Sequence, residues 1–176
     1  MQKRNGFTLL EVLIVVVIAV SVAAFALPAY KKTQEKNKYM AAQGVLLDLG
    51  SAVRAVRADM SDGSFPAGSS PEQVTTSWNS TAAPDNKIDS SNAKYELFRR
   101  KYMAPIPFDS GNTYKGFSFY VCSETGGTSG CCRGVGSPVA CMKNDALGSS
   151  AATKGQYWGA TFLEDGTIKR QTVTAM

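Results

Sequence analysis

The chain has 176 residues, a formal net charge of +5 and no histidine. That length holds one domain with a modest core, and 44% apolar with 19% charged residues is an ordinary globular mix. The lack of histidine excludes Ser-His-Asp and Cys-His catalysis and a His-ligated zinc, and the charge, which drops to +3 without Lys3 and Arg4, is too small to announce a nucleic-acid binder.

The first element is an apolar run. From Phe7 to Ala29 there are 23 residues and one charge, Glu11. As a helix this run spans roughly 35 Å, enough to cross a bilayer core. Its many Val and Ile residues are poor helix formers in water, but in lipid the backbone must satisfy itself and a helix is forced. Pro28 ends the unbroken run and is expected to kink the helix, because a helical pattern resumes after it. Three readings compete. One is a secretory signal, with Ala24-Phe25-Ala26 as its cleavage site. Another is a plain signal anchor. The third is a segment cut early, before the apolar run, whose helix stays on the mature protein. Glu11 separates them, because a carboxylate in hydrocarbon is costly and needs a partner.

The stretch Lys3-Arg4-Asn5-Gly6-Phe7-Thr8-Leu9-Leu10-Glu11 resembles the processing site of type IV prepilins and the related pseudopilins. The resemblance covers about the first thirty residues closely and the rest only in architecture. It implies cleavage by a prepilin peptidase after Gly6, methylation of the new terminal amine on Phe7, and a role for Glu11, fifth from that terminus, in assembly. Pro28 falls 22nd, where many family members also have proline. The chemistry agrees: a carboxylate one turn along can neutralise a terminal amine, its own or a neighbour's, and an unpaired one in a helix bundle would be penalised. Orientation is ambiguous by charge. Lys3 and Arg4 favour a cytoplasmic N-terminus, yet Lys31, Lys32, Lys36 and Lys38 follow the span against only Glu35.

Residues 30–60 read as the amphipathic continuation of the helix. Met40, Leu47, Val53, Val56 and Met60 form an apolar stripe, widened by Leu46 and Leu49, with Arg54 and Arg57 on the other side. Gly44 and Gly50 weaken the helix but allow close packing of a sheet. Asp62-Gly63 breaks it. Residues 61–93, rich in Ser, Thr, Pro, Gly and Asn, read as a long surface loop. Asn79-Ser80-Thr81 fits the glycosylation pattern, and an unmodified polar loop is the plainer reading. A short helix is expected from Ala93 to Met103, with Tyr95, Phe98 and Tyr102 on one face. Beside it, Arg99-Arg100-Lys101 is either a contact for DNA or an acidic surface, or simply a solvated face.

Three strands are predicted: Tyr114–Cys122, Tyr157–Leu163 and Thr167–Thr174, the last two joined by a turn at Asp165-Gly166. Between the first two lies a loop carrying the cysteines. Cys122, Cys131, Cys132 and Cys141, behind a membrane signal, read as disulfides in an oxidising compartment. Their spacing is not a zinc pattern, and a vicinal bridge would be strained. Each central cysteine is expected to pair outward to Cys122 or Cys141, the spacing leaving open which, while one bridge with two free thiols is the alternative. Two crosslinks would stabilise a Gly- and Ser-rich segment by roughly 2–4 kcal/mol each; they also place the C-terminal part outside the cytoplasm.

No catalytic set stands out. Asp85, Asp89 and Asp109 have no spacing that joins them, Gly126-Gly127 and Gly134-x-Gly136 do not precede a helix, and no calcium loop run occurs. The expectation is an α+β protein, not an enzyme, with no cofactor or metal. It comprises a leader at 1–6, a transmembrane polymerisation helix at 7–29, the amphipathic helix half at 30–60, and a globular head at 61–176 with a small antiparallel sheet and a disulfide-closed C-terminal region. The resemblance implies a homo-oligomeric, pilus-like filament, built from an inner-membrane precursor with its head in the periplasm and ending at the cell surface. The implied partners are a prepilin peptidase, an assembly ATPase, a platform protein and, where an outer membrane exists, a secretin. A type II secretion pseudopilin is the alternative within the class, and a signal-anchored extracytoplasmic binding domain the alternative outside it.

Overall fold

A computed structural model describes residues 8–60, 65, 71–79, 93–109, 111–123, 130–132, 136–147 and 158–171. The chain divides into two compact units, Met1–Asn37 and Lys38–Met176. One helix, α1 (Leu9–Asp59), contributes to both. In the first unit it continues through Pro28, and every described side chain there is exposed.

In the second unit α1 is the backbone of the core. Its buried residues Tyr39, Ala42, Leu46, Leu49, Val53 and Val56, followed by Met60, recur at alternating steps of three and four, the spacing that keeps one helix face inward. The expected stripe is therefore corrected by one position at its start. Met40 is 55% exposed and Leu47 42% exposed, because Tyr39 and Leu46 take the inward positions beside them. The Tyr39 ring meets Phe117 edge-on at 6.0 Å, its hydroxyl donates to the Gly159 carbonyl at 3.4 Å, and the Arg170 guanidinium lies 5.7 Å from its ring centre.

The sheet has five strands, in spatial order β1 (Glu72–Gln73), β2 (Phe117–Val121), β3 (Pro138–Asn144), β4 (Gly159–Leu163) and β5 (Ile168–Arg170), all neighbours antiparallel. Two of them correct the sequence reading. β3, the central strand, runs through what reads as a cysteine loop, and β1 lies in what reads as a surface loop. That loop also sends Phe65, Val74 and Trp78 into the core. Shorter segments than expected form the first, second and third predicted strands, and Tyr157 and 172–174 lie outside the described residues. Phe117 is reached by a tight turn from Tyr114 rather than by a longer strand.

The register gives the sheet two covered faces. Phe119, Met142 and Ala160 align across β2–β4 on the face that packs with α1. Tyr120, Cys141 and Thr161 align on the other, where the cysteines and Trp158 form a second apolar cluster. Burial on both faces explains why β3 lacks polar alternation. Gly50 on α1 packs directly against β4: a Cβ there would clash with the Phe162 ring, whereas a Cβ on Gly44 would meet nothing within 4 Å. Only Gly50 fulfils the packing role expected of both.

At the far end of the sheet, Gly166 takes φ 84° in the turn between β4 and β5, and Leu163 and Thr167 pair across it at 2.9 Å, as the Asp165-Gly166 pair predicts. The short helix α2 is Ala93–Arg99, ending before Met103 because Lys101 adopts a left-handed φ of 60°. Leu97 and Phe98 point into the core. Tyr102 lies beyond the helix and donates to the Asp59 carboxylate; the Tyr95 side chain lies outside the described residues.

Candidate assembly site

The candidate site is the first unit, and its description starts at Thr8; Gly6 and Phe7, the expected cleavage and methylation positions, lie outside the described residues. Thr8 caps α1. Its Oγ1 accepts the backbone amide of Glu11 at 3.3 Å, and its carbonyl accepts the amides of Glu11 at 3.1 Å and Val12 at 3.3 Å. The same hydroxyl donates to the Glu11 carboxylate at 3.4 Å. Thr8-Leu9-Leu10-Glu11 is thus an S/T-x-x-E cap, and the acid stands near the positive end of the helix dipole. The spacing made this cap legible, and sequence reasoning that sought the partner of Glu11 in a terminal amine, its own or a neighbour's, missed it.

Beyond the cap the helix offers an apolar surface that no described residue covers. Leu9 and Phe25 are each 83% exposed, and Leu13, Ile14, Val17, Ile18 and Val20 are all exposed too. Two hydroxyl side chains on this helix are internally satisfied. Ser21 Oγ donates to the Val17 carbonyl at 2.6 Å and Thr33 Oγ1 to the Ala29 carbonyl at 3.0 Å; for Ser21, this back-bonding lets a hydroxyl sit in an apolar run. Pro28 has no amide to donate to the Ala24 carbonyl four residues back, yet the helix continues to Asp59. The segment is long and apolar enough to cross a bilayer.

The cysteines meet the expectation of two outward pairs and settle the pairing. Cys122 bonds Cys132 and Cys131 bonds Cys141, with Cα separations of 5.6 and 5.7 Å, and no cysteine is free. The bridges lie side by side, the Cys132 and Cys141 sulfurs 3.1 Å apart. Cys122, Cys132 and Cys141 are close enough to suggest a metal triad, but sulfurs committed to disulfides offer no thiolate. The Cys131 carbonyl accepts from Thr161 Oγ1 at 3.0 Å and from the Gln171 amide, which also reaches Thr161. These bonds fasten the crosslinked turn to β4 and to the end of β5.

Arg57 corrects a second reading. It was expected on the solvent side of α1, yet its side chain is only 10% exposed. The guanidinium donates to the Phe65 carbonyl at 2.7 and 2.9 Å and to the Cys122 carbonyl at 2.6 Å, and lies 3.7 Å from Glu164. One planar donor thus joins helix, loop and first cysteine. Arg54 stays on the surface, 3.6 Å from the same Glu164. Of the carboxylates weighed for catalysis, Asp109 accepts the Lys115 amide at 2.5 Å in a turn, and Asp85 and Asp89 lie outside the described residues.

The family model for the prokaryotic N-terminal methylation motif matches residues 1–27. No curated protein and no solved structure matches the chain. On the motif, the chain carries the prepilin-type N-terminal signal of type IV pilins and pseudopilins.

Proposed function

We infer that the protein is a structural subunit of a type IV pilus-like filament and not an enzyme. A prepilin peptidase removes residues 1–6, Phe7 becomes the methylated terminus, and residues 7–29 anchor the precursor in the inner membrane until it polymerises. The single observation that carries this reading is a methylation motif joined directly to a helix with no buried side chain from Thr8 to Lys38. Such a surface needs lipid or other helices around it. Leaving lipid for a bundle exchanges one apolar environment for another, so packing and paired polar groups decide the outcome. A head-to-tail contact between identical subunits that does not close gives a helical fibre. Glu11 supplies the polar pairing by meeting the Phe7 amine of a neighbour, and Pro28 gives the helix a point of adjustment.

The assembly ATPase, platform protein and, in an envelope with an outer membrane, secretin follow from this reading, as does a periplasmic and then surface location for residues 30–176. The two adjacent disulfides support placing the head in an oxidising compartment. They also favour a pilin over a type II secretion pseudopilin, which carries the same N-terminal signal. N-terminal mass spectrometry of the cellular protein tests the reading: methylated Phe7 is expected, and a chain beginning at Leu27 would overturn it. Imaging of sheared surface fibres then separates pilin from pseudopilin.

A further inference from the structure

Four lysines remain without a role: Lys31, Lys32, Lys36 and Lys38, in the turns of α1 just past the apolar stretch. All four are exposed. None makes an ion pair among the described residues, and the single acid among them, Glu35, is exposed as well. We propose that this band binds the phosphate headgroups of anionic lipids and so sets the depth at which the unassembled subunit rides in its membrane. The proposal rests on the reading that the apolar half of α1 is inserted in a bilayer.

Length puts the lysines where headgroups are. From Thr8 to Tyr30 the helix rises roughly 34 Å, slightly more than a hydrocarbon core. The next eight residues, to Lys38, cover about 12 Å, reaching through the headgroup layer. Tyr30 marks the boundary. It is 62% exposed, its ring is the kind that settles at a membrane interface, and its hydroxyl accepts from Gln34 Nε2 at 2.6 Å, turning the polar end toward the lysine side. Lysine suits such a site. Its long stem lies along apolar surface while its ammonium reaches a phosphate, and four in eight residues concentrate enough positive charge to attract anionic headgroups within a Debye length. Among the described residues, the first buried side chain is Tyr39, which follows Lys38 directly.

The test uses the full-length protein reconstituted in vesicles of phosphatidylcholine and phosphatidylglycerol in equal parts. Spin-labelled lipids report which headgroup collects at the protein boundary. Wild type is expected to prefer phosphatidylglycerol by roughly threefold or more. The preference should fall toward one in the K31Q/K32Q/K36Q/K38Q variant and in concentrated salt, and rise in Glu35→Gln. No preference in wild type, or an unchanged preference in the quadruple variant, would overturn the proposal. So would loss of the preference on adding inorganic phosphate at matched ionic strength, which would mark a free-phosphate site. A quadruple variant that keeps the preference but loses filaments would assign the lysines to a neighbouring subunit instead. Both proteins should survive an alkaline carbonate wash in the membrane fraction. Extraction of both would defeat the membrane-span reading itself, separately from the headgroup result.

Discussion

Thr8 Oγ1 accepts the Glu11 amide at 3.3 Å and donates to the Glu11 carboxylate at 3.4 Å. The acid is therefore engaged with its own helix end before any neighbour arrives. This relationship separates two properties of the Glu11 side chain, its hydrogen bond to the capping Thr8 hydroxyl and its charge. The bond needs only an acceptor oxygen at this position, which glutamine supplies as well as glutamate. Neutralising a terminal amine needs the negative charge. Glu11→Gln should therefore leave processing after Gly6 intact and abolish most filament assembly, close to the effect of Glu11→Ala. Thr8→Ala removes the cap at a cost of about 1 kcal/mol in a helix end and should reduce assembly only mildly. The yield of sheared filaments, measured beside the fraction of processed subunit, checks this. Normal assembly in Glu11→Gln would reduce the Glu11 side chain to a partner of the Thr8 hydroxyl.

Gly50 and Gly44 lie on the same helix, and the structure gives them opposite fates. A methyl on Gly50 enters the space of the Phe162 ring, and overpacking of this kind costs about 1–3 kcal/mol. The gain in helix propensity, about 1 kcal/mol, offsets only part of it. At Gly44 there is open space, so alanine collects the propensity gain alone. With about 2–4 °C per kcal/mol for a chain of this size, Gly50→Ala should melt several degrees below wild type. Gly44→Ala should melt at or slightly above it. Equal shifts for the two would mean that Phe162 moves aside freely.

Local pattern made the N-terminal motif, the long helix, the turn at Asp165-Gly166 and the outward cysteine pairing legible. Each rests on neighbours in sequence. What was not legible depends on distant partners. The apolar residues of α1 occupy adjacent positions, Tyr39 beside Met40 and Leu46 beside Leu47, so periodicity alone did not choose between two stripes one residue apart. Arg57 looks like a surface residue until the Phe65 and Cys122 carbonyls close on it. The strand Pro138–Asn144 is buried along most of its length, and its composition alternates nothing because the helix covers one face and the disulfides the other. β1 has two residues, too few to carry a period. The candidate site was legible in the opposite sense: its motif stood in the sequence, while the Thr8 cap, also written there, was passed over.

Arg57 and Arg54 make a matched pair for testing the buried guanidinium. Both approach Glu164 at 3.6–3.7 Å, but only Arg57 also serves two backbone carbonyls. Leaving a buried carbonyl unpaired costs about 1–3 kcal/mol, while an exposed ion pair contributes about 1 kcal/mol or less. Arg57→Ala should thus lower the melting temperature clearly, and Arg54→Ala should barely change it. Arg57→Lys should resemble alanine more than wild type, since an ammonium lacks the planar fork that reaches both carbonyls. Thermal unfolding of the three variants in detergent provides the comparison, and similar shifts for Arg54→Ala and Arg57→Ala would contradict it.

The turn at Asp165 carries a pH dependence of known sign. The Thr167 hydroxyl donates to Asp165 Oδ1 at 2.7 Å and the Thr167 amide at 2.8 Å. These bonds, the hydroxyl's first and then the amide's, hold the carboxyl below its ordinary value of 3.8, with Lys169 assisting by its charge. A group whose folded value is depressed adds stability that is fully present above the unfolded value, here 3.8. It is lost as the pH falls through the lower folded value. The β4–β5 hairpin should accordingly loosen as the pH drops below that point and stay indifferent to Asp165 above it. Asp165→Asn keeps an oxygen for the Thr167 amide but cannot titrate, so its hairpin should lose protection less steeply in acid. Amide exchange at Leu163 and Thr167, followed from neutral pH into acid, makes the measurement. The effect should be small because the carboxyl is fully exposed to water, which screens it; identical acid profiles for wild type and Asp165→Asn would show that the turn's acid sensitivity lies elsewhere.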